Sequence, residues 1–328
     1  TRYAADSSLT LNSNLTLYAQ WAVNPLEGLS LNEALTWIAA NAQNGNEYTI
    51  ELTASESLAP KTLSYSGKVI GITLKGIGSE RMILLSSNGS LFTIGTGVTL
   101  ILDNNITLKG RIGNSAPVVV VQPNGFLVMN DGAKIIDNSN SSSSYYGGGV
   151  YSSGTFTMNG GTISENTAFV YGGGVYSTGT FTMSGGTISG NIASYSSSSN
   201  TCGGGVYSTG TFTMSGGTIS GNTVTNSWSS SYTIGGGVYA SGTFTMSGGT
   251  VSGNTSYLGG GVYVGGGTFI KSSTGGTIYG SNATPELQNT ASSASYGYAV
   301  YVSSSGRRRN TTVNAGDYLN SASSEGWE

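Results

Sequence analysis

The sequence predicts an all-β chain wound into a right-handed parallel β-helix, a solenoid of about ten coils. The first observation is a repeated phrase, GGGVY followed by GTF and then GGT, whose five copies begin at Gly147, Gly172, Gly203, Gly235 and Gly259. Apolar and polar residues alternate within each copy, as they do in half-buried strands. No proline occurs between Pro123 and Pro285, so every backbone N–H there can join a ladder.

Each copy supplies three short strands. In the first copy the inward residues are Val150, then Phe156 with Met158, then Ile163. One coil buries too little apolar surface to offset the chain entropy lost on ordering it, so the copies must stack. The right hand follows from the strong preference for right-handed crossovers between parallel strands. Glycines and one asparagine per copy mark the corners, and these asparagines are Asn166, Asn191, Asn222 and Asn254.

The β-helix is expected to cover residues 47–320, with the five repeats at 147–280 and a tail at 321–328. Before the repeats, strand-length apolar runs such as Val69–Leu74 and Val98–Leu102 are separated by Gly, Asn or Ser. These runs indicate that the same architecture continues upstream without the repeated phrase.

Residues 25–46 are expected to contain a short capping helix. Ser30 and Glu33 form a capping-box pattern at its start. The apolar residues that follow share one helical face, and they are Leu31, Leu35, Ile38 and Ala42. We expect this helix to cover the apolar end of the first coil.

Residues 1–24 form a separate segment that is predicted to be an extended strand or a hairpin. Its apolar residues alternate with polar ones; they are Leu9, Leu11, Leu15, Leu17, Ala19 and Trp21. Such a strand needs a sheet to join, and no helical pattern follows Thr311–Leu319 to cover the last coil. An assembly strand that adds to the open end of the next subunit would build a filament head to tail.

Composition excludes several classes of partner. The net charge is −3 and charged residues make up 8% of the chain. The longest basic run is Arg307–Arg309, which we interpret as a solvated turn, so nucleic acid is not an expected partner. No apolar run reaches the length of a membrane span. Cys202 is the one cysteine, so no internal disulfide is expected.

The repeat half lacks the residues of an ordinary active site. The chain has no histidine, and between Asn138 and Gly306 its charged residues are Glu165, Lys271 and Glu286. General acid–base catalysis needs a titratable group with a tuned pKa. We therefore expect no enzyme activity, no catalytic residue, no metal and no cofactor.

Three upstream aspartates are the remaining candidates for calcium binding. They are Asp103, Asp131 and Asp137. Each is followed by Asn or Gly, a context typical of turns, and turn formation is the simpler interpretation.

One outward position of every repeat is a tyrosine. These residues should form a ladder one coil apart: Tyr151, Tyr176, Tyr207, Tyr239, Tyr263 and Tyr301. The ladder is either a strip that binds glycans or another subunit, or a stack of rings that stabilises the coils. We favour the stabilising stack.

A second outward ladder consists of threonines. Its members are Thr155, Thr157, Thr180, Thr182, Thr211, Thr213, Thr243 and Thr245. Flat Thr-x-Thr arrays resemble the ice-binding faces of some antifreeze proteins, which makes ice binding an alternative function. Threonine is also an ordinary strand residue on a solvated face, and that is the favoured reading.

The spacers between copies are the third candidate surface. They leave the same corner at 138–146, 167–171, 191–202, 222–234 and 254–258, and are rich in Ser, Tyr and Asn. Variable insertions at one corner of a solenoid often form its binding face; here they are equally consistent with tolerated filler. The binding candidates are Tyr145, Tyr146, Tyr195, Trp228, Tyr232 and Tyr257.

The units GGGVY and GTFTMSGGTISGNT resemble the right-handed parallel β-helix proteins of the pectin-lyase-like superfamily, particularly large surface proteins of host-associated bacteria. The segment LTLNSNLTLYAQW is similar to the final strands of the Listeria-Bacteroides type surface repeat. The resemblances imply an extracellular or cell-surface bacterial protein with a structural or adhesive role. Lyases and hydrolases of that superfamily use clustered acidic residues, and a polysaccharide lyase or hydrolase is the last of the alternative functions considered for this chain.

The expected function is therefore a non-enzymatic extracellular β-helix, structural and adhesive, that self-assembles into a filament or surface layer through the segment 1–24. The expected partner is another copy of the chain. The alternative is a monomeric adhesin that binds a glycan or a host surface protein through the spacer loops.

Overall fold

The part of the chain that the structure describes forms a parallel β-solenoid with one short helix, which precedes the first strand. The computed structural model describes residues 24–141, 146–196, 199–227, 231–271, 275–280, 283–292, 297–303 and 307–310. The predicted assembly strand at 1–24 lies outside these residues except for Asn24, and so does the tail at 321–328.

Three long parallel sheets form the walls of the solenoid. Sheet A contains β1 (Glu47–Leu52), β4 (Ile70–Gly76), β7 (Val98–Leu102), β10 (Phe126–Met129), β14 (Thr155–Met158), β18 (Thr180–Met183), β23 (Thr211–Met214), β28 (Thr243–Met246), β31 (Thr268–Lys271) and β34 (Arg307–Asn310).

Sheet B contains β2 (Glu56–Leu58), β5 (Arg81–Leu85), β8 (Ile106–Lys109), β11 (Lys134–Ile136), β15 (Thr162–Ser164), β19 (Thr187–Ser189), β24 (Thr218–Ser220), β29 (Thr250–Ser252) and β32 (Thr277–Ile278). Sheet C contains β3 (Lys61–Leu63), β6 (Phe92–Ile94), β9 (Val119–Val121), β13 (Val150–Ser152), β17 (Val175–Ser177), β22 (Val206–Ser208), β27 (Val238–Ala240), β30 (Val262–Val264) and β33 (Val300–Val302).

The number of turns is slightly lower than the sequence predicts. Nine stacked strands in sheets B and C are separated by eight turns of chain, and the solenoid has about eight turns rather than ten coils. The pairing of the strands shows that the coils differ in length. One coil takes 24 residues, from Glu47 to its partner Gly71, whereas another takes 39, from Thr268 to its partner Arg307. The longer coils account for the lower number of turns.

The spacers contain short strands where loops are predicted. Sheet D contains β12 (Ser139–Asn140), β16 (Thr167–Phe169), β20 (Ile192–Tyr195) and β25 (Thr223–Asn226), and sheet E pairs β21 (Thr201–Cys202) with β26 (Thr233–Ile234). Successive spacers leave the same corner, so their backbones lie side by side. Parallel pairing satisfies backbone groups that would otherwise need water.

The interior consists of columns in which each residue lies on its equivalent in the next coil. The phenylalanine column contains Phe156, Phe181, Phe212, Phe244 and Phe269, all fully buried. Consecutive rings are stacked with centroids 4.6 to 5.0 Å apart. The register pairs Phe156 with Leu127 and Leu127 with Leu100, so the column continues upstream as aliphatic residues.

A ladder of buried asparagines lines one corner. Its members are Asn138, Asn166, Asn191, Asn222, Asn254 and Asn289. The backbone N–H and Nδ2 of Asn191 both donate to Oδ1 of Asn222 at 3.0 Å. Asn222 repeats both bonds to Oδ1 of Asn254, at 3.0 and 2.9 Å, and its Nδ2 also donates to the carbonyl of Ile188 at 2.9 Å. The predicted corner asparagines therefore form hydrogen bonds between successive coils in the interior of the molecule.

The glycine triplet that opens each repeat passes beside this corner. Gly172 has φ of +68°, a conformation that L side chains rarely adopt. A Cβ on the next residue, Gly173, would overlap the carbonyl oxygen of Gly204 in the neighbouring coil. The triplet is thus required by one positive φ and by close backbone approach.

Helix α1 (Leu31–Asn41) covers the first coil, as the capping pattern predicts. Ser30 and Glu33 form both bonds of the capping box, and these bonds hold the pKa of Glu33 below its usual value. The carboxylate of Glu56 in β2 accepts the N–H of Leu31 at 3.0 Å. Leu31, Leu35, Ile38 and Ala42 are all buried.

The arginine run is not the predicted turn. Arg307–Asn310 forms β34, which pairs with β31 and places Arg308 opposite Phe269 in the register. The edge of β31 exposes backbone donors and acceptors, and an extended segment can satisfy them whatever its side chains.

Candidate functional site

The outward surface of the repeat coils is the candidate functional site. It has three parts: the tyrosine ladder on sheet C, the threonine ladders on sheets A and B, and the spacer side with sheets D and E. Each part follows from the register, because strands stacked without slippage place identical residues above one another.

The tyrosine ladder is a continuous stack. Neighbouring rings from Tyr151 to Tyr301 have centroids 4.6 to 5.4 Å apart and planes within 12° of parallel. All six side chains are half-buried. Because each inner ring has a neighbour on both faces, little ring face is left for a sugar.

Two spacer tyrosines form a second layer against this stack. Tyr146 lies 5.0 Å from Tyr176, and Tyr171 lies 4.8 Å from Tyr207, in tilted ring pairs. Burial raises the pKa of Tyr176 to about 12 and raises the pKa of Tyr207 and Tyr239 further. These hydroxyls remain protonated at physiological pH and act as neutral hydrogen-bonding groups.

The threonine ladder on sheet A forms two parallel columns. The register pairs Thr155 with Thr180 and Thr157 with Thr182, and continues through β23 and β28. The column of Thr157 is half-buried throughout and that of Thr155 becomes exposed from Thr180 onward. Val128 on one side and Ile270 on the other end the second column, so four rows carry the full Thr-x-Thr pattern.

Sequence reasoning missed a third threonine column on sheet B. It contains Thr162, Thr187, Thr218, Thr250 and Thr277, all half-buried. The signal was present, since every copy has a threonine after GG.

The spacer side contains an open cleft of about 440 Å³. It is lined by Phe169, Ser194, Tyr195, Ser196, Thr225, Asn226 and Ser227. Phe169 and Tyr195 meet edge to face at 4.7 Å. The predicted candidate Tyr195 therefore lines a concavity, together with Phe169, which sequence reasoning did not identify.

The other predicted spacer residues are dispersed. Tyr232 and Tyr257 form a separate tilted pair at 5.2 Å and are 48% and 37% exposed. Tyr146 packs on the tyrosine ladder as described above. Tyr145 and Trp228 lie outside the described residues.

The three upstream aspartates occupy separate corners. Asp137 pairs with Lys109 at 2.9 Å and has φ of 56°. Asp103 accepts a bond from Asn130 at 3.4 Å, and Asp131 is exposed beside Gly160. No group of three or more His, Cys, Asp or Glu side chains comes together within the described ranges.

A second concavity, of about 380 Å³, lies on sheet C of the upstream coils. Its lining includes Lys61, Thr62, Thr93, Val120 and Gln122. Thr93, Val120 and Tyr151 occupy one outward column, so this concavity adjoins the start of the tyrosine ladder.

The thiol of Cys202 is buried beneath the tyrosines. It is 5% exposed, and burial raises its pKa far above the usual range. A thiol held protonated is a poor nucleophile and a poor metal ligand.

In the part of the chain with described positions, no helix has both the length and the apolar character needed to span a bilayer. Comparisons with protein-family models, with curated proteins and with solved structures found no match for this chain.

Proposed function

We propose that this protein is a non-catalytic structural rod that works outside the cell, on a bacterial surface. The observation that carries the proposal is that the phenylalanine column, the asparagine ladder and the tyrosine stack run in register through successive coils. Most of the residues that recur in every repeat therefore make contacts between neighbouring coils. The resemblance to pectin-lyase-like surface proteins supports the extracellular location.

Self-assembly through residues 1–24 remains part of the proposal. Helix α1 covers the first coil with its apolar face buried, so direct stacking of a second solenoid at that end would have to displace this helix. The alternating apolar pattern of Leu9 to Trp21 offers another route, in which this strand joins the far end of the next copy.

Electron microscopy tests assembly. The full chain is compared with two variants. One lacks residues 1–24. In the other, Leu11 and Leu15 are changed to Lys, so that the segment keeps its length but loses its apolar face. Filaments from the full chain and single particles from both variants are expected. Single particles in all three samples would refute assembly and leave a monomeric rod.

The second candidate function is adhesion through the spacers. The observation in its favour is the concavity on sheet D, where aromatic and hydroxyl side chains from three coils converge. A rod that displays such a surface would serve as an adhesin, and the two functions are compatible in one molecule.

A further inference from the structure

We propose that the cleft on sheet D, lined by Phe169, Ser194–Ser196 and Thr225–Ser227, binds a short segment of neutral carbohydrate. The inference does not depend on filament assembly, because every lining residue belongs to one chain.

The shape of the cleft suits a linear ligand that runs along the solenoid axis. Phe169 belongs to β16, Tyr195 to the adjacent β20 and Asn226 to β25, the next strand. Three neighbouring strands span about 10 Å at the usual spacing, which is the length of a short oligosaccharide segment. The volume of about 440 Å³ falls within the range of small-molecule sites.

The rings of the cleft are arranged differently from those of the tyrosine ladder. Phe169 and Tyr195 meet edge to face, with an interplanar angle of 80°. In such a pair the partner leaves ring surface uncovered, whereas each inner ring of the ladder is covered on both sides. The C–H face of a sugar packs on uncovered aromatic surface, so the cleft offers what the ladder lacks.

The remaining lining residues supply uncharged hydrogen-bonding groups. Ser194, Ser196, Thr225 and Ser227 carry hydroxyls, and Ser196, Thr225 and Ser227 are exposed. The Nδ2 of Asn226 already donates to the carbonyl of Ser199 and to the hydroxyl of Thr201, so the proposal relies on the hydroxyls. A hydroxyl group can both donate and accept, which matches the hydroxyls of a sugar. None of the described residues that line the cleft carries a charge, so they offer an acidic polysaccharide no cation to pair with. The ligand class is therefore neutral.

Titration calorimetry on the full chain tests the proposal. The probes are neutral trisaccharides, namely cellotriose, mannotriose and the trimer of N-acetylglucosamine, with trigalacturonate as the acidic comparison. We expect at least one neutral probe to bind and trigalacturonate not to bind. Binding of trigalacturonate alone, or of no probe, would overturn the proposal.

Four variants locate the binding site. Tyr195→Ala and Phe169→Ala should each weaken binding about tenfold or more, whereas Tyr232→Ala, which removes an exposed spacer tyrosine outside the cleft, should leave it unchanged. Thr225→Trp keeps both rings and fills the cleft from an exposed position, so it should abolish binding even if an alanine variant fails to fold. Circular dichroism checks the fold of each variant. Unchanged affinity in folded Tyr195→Ala and Thr225→Trp would place the ligand elsewhere.

Discussion

The coils before Gly147 and the coils after it share one backbone architecture but differ in their side chains. Inside, the upstream phenylalanine-equivalent positions hold Leu100 and Leu127, whereas the repeats use phenylalanine throughout. Outside, Thr93 and Val120 occupy the column that becomes tyrosine at Tyr151. The fold thus requires inward apolar residues of suitable size, while identical residues are needed only where rings or amides stack.

Charge also separates the two regions. Upstream, Glu80 accepts hydrogen bonds from Thr107 and from Lys134, which lie on successive coils. These bonds, that from Thr107 first, hold the pKa of Glu80 below its usual value. The repeats replace such mixed contacts with uncharged columns. Salt should consequently affect the upstream coils more than the repeats.

The largest expected effect tests whether stacked rings stabilise more than packed aliphatic residues. Phe212→Ala should lower the free energy of unfolding by about 3–5 kcal/mol and the matched upstream change Leu100→Ala by about 2–5 kcal/mol. Both residues are fully buried. Urea unfolding followed by circular dichroism measures the two losses. An equal loss for both would show that ring stacking adds nothing beyond burial.

The asparagine ladder gives the next largest effect. Asn222→Ala removes the acceptor of two bonds from Asn191 and the donor to Ile188, so we expect a loss of about 2–4 kcal/mol from buried groups left unpaired. Asn32→Ala, on the exposed face of α1, is the control and should change little. Similar urea midpoints for the two variants would contradict a stabilising ladder.

Lys271 ends a buried column of sheet A that contains Met158, Met183, Met214 and Met246. We expect this lysine to make the stability of the protein depend on pH. Lys271 lies opposite Met246, is 3% exposed, and burial lowers its pKa. Because the unfolded chain holds this proton more tightly, the wild type gains stability as pH rises from the lowered pKa toward the unfolded value.

Lys271→Met should therefore raise the melting temperature at pH 7 and lose that advantage above the unfolded lysine pKa, near pH 11. Thermal melts at the two pH values measure this difference. Lys75→Met, on a half-exposed upstream residue, is the control. A gain that is the same at both pH values would mean that the charge is not responsible.

The smallest expected effect concerns three buried hydroxyls in sheet C. Within the described structure, the Oγ atoms of Ser152, Ser177 and Ser208 have no hydrogen-bond partner, and Ala240 occupies the same column one coil later. Ser177→Ala should stabilise the protein by up to about 1 kcal/mol, because an unpaired buried hydroxyl is costly. Ser164→Ala, on the outward side of β15, should be neutral. A destabilised Ser177→Ala would indicate a bonded hydroxyl.

Most of the fold could be predicted because the repeated phrase shows two periods. The two-residue alternation in GTFTM indicates a strand and its buried face. The recurrence of the whole phrase indicates which strands pair with one another. Sheet D could not be predicted, since strands as short as Ser139–Asn140 produce no alternation and form only because neighbouring spacers are aligned. The strand at Arg307–Asn310 was missed for a related reason. It forms because the edge of β31 offers backbone partners, and its own side chains give no sign of a strand.

The candidate site was only partly predictable. The sequence indicates a column of tyrosines but not that each inner ring covers the next, which depends on the distance between coils. Tyr195 was identified from composition alone. Phe169 was missed because its contact with Tyr195 crosses from one spacer to the next, and spacers of unequal length give no register in the sequence.

The asparagine ladder separates the parts of a repeat that are free to change from those that are fixed. Nineteen positions separate Gly147 from Asn166, and the same interval recurs from Gly172 to Asn191 and from Gly203 to Asn222. The chain between that asparagine and the next glycine triplet varies in length. The hydrogen bonds of the asparagine side chains hold each coil against the next before the spacer begins. A spacer can therefore lengthen without shifting the strands. Insertions or deletions in the spacers would therefore change the binding surface, and duplication of whole coils would change the length of the rod. The two properties can evolve independently.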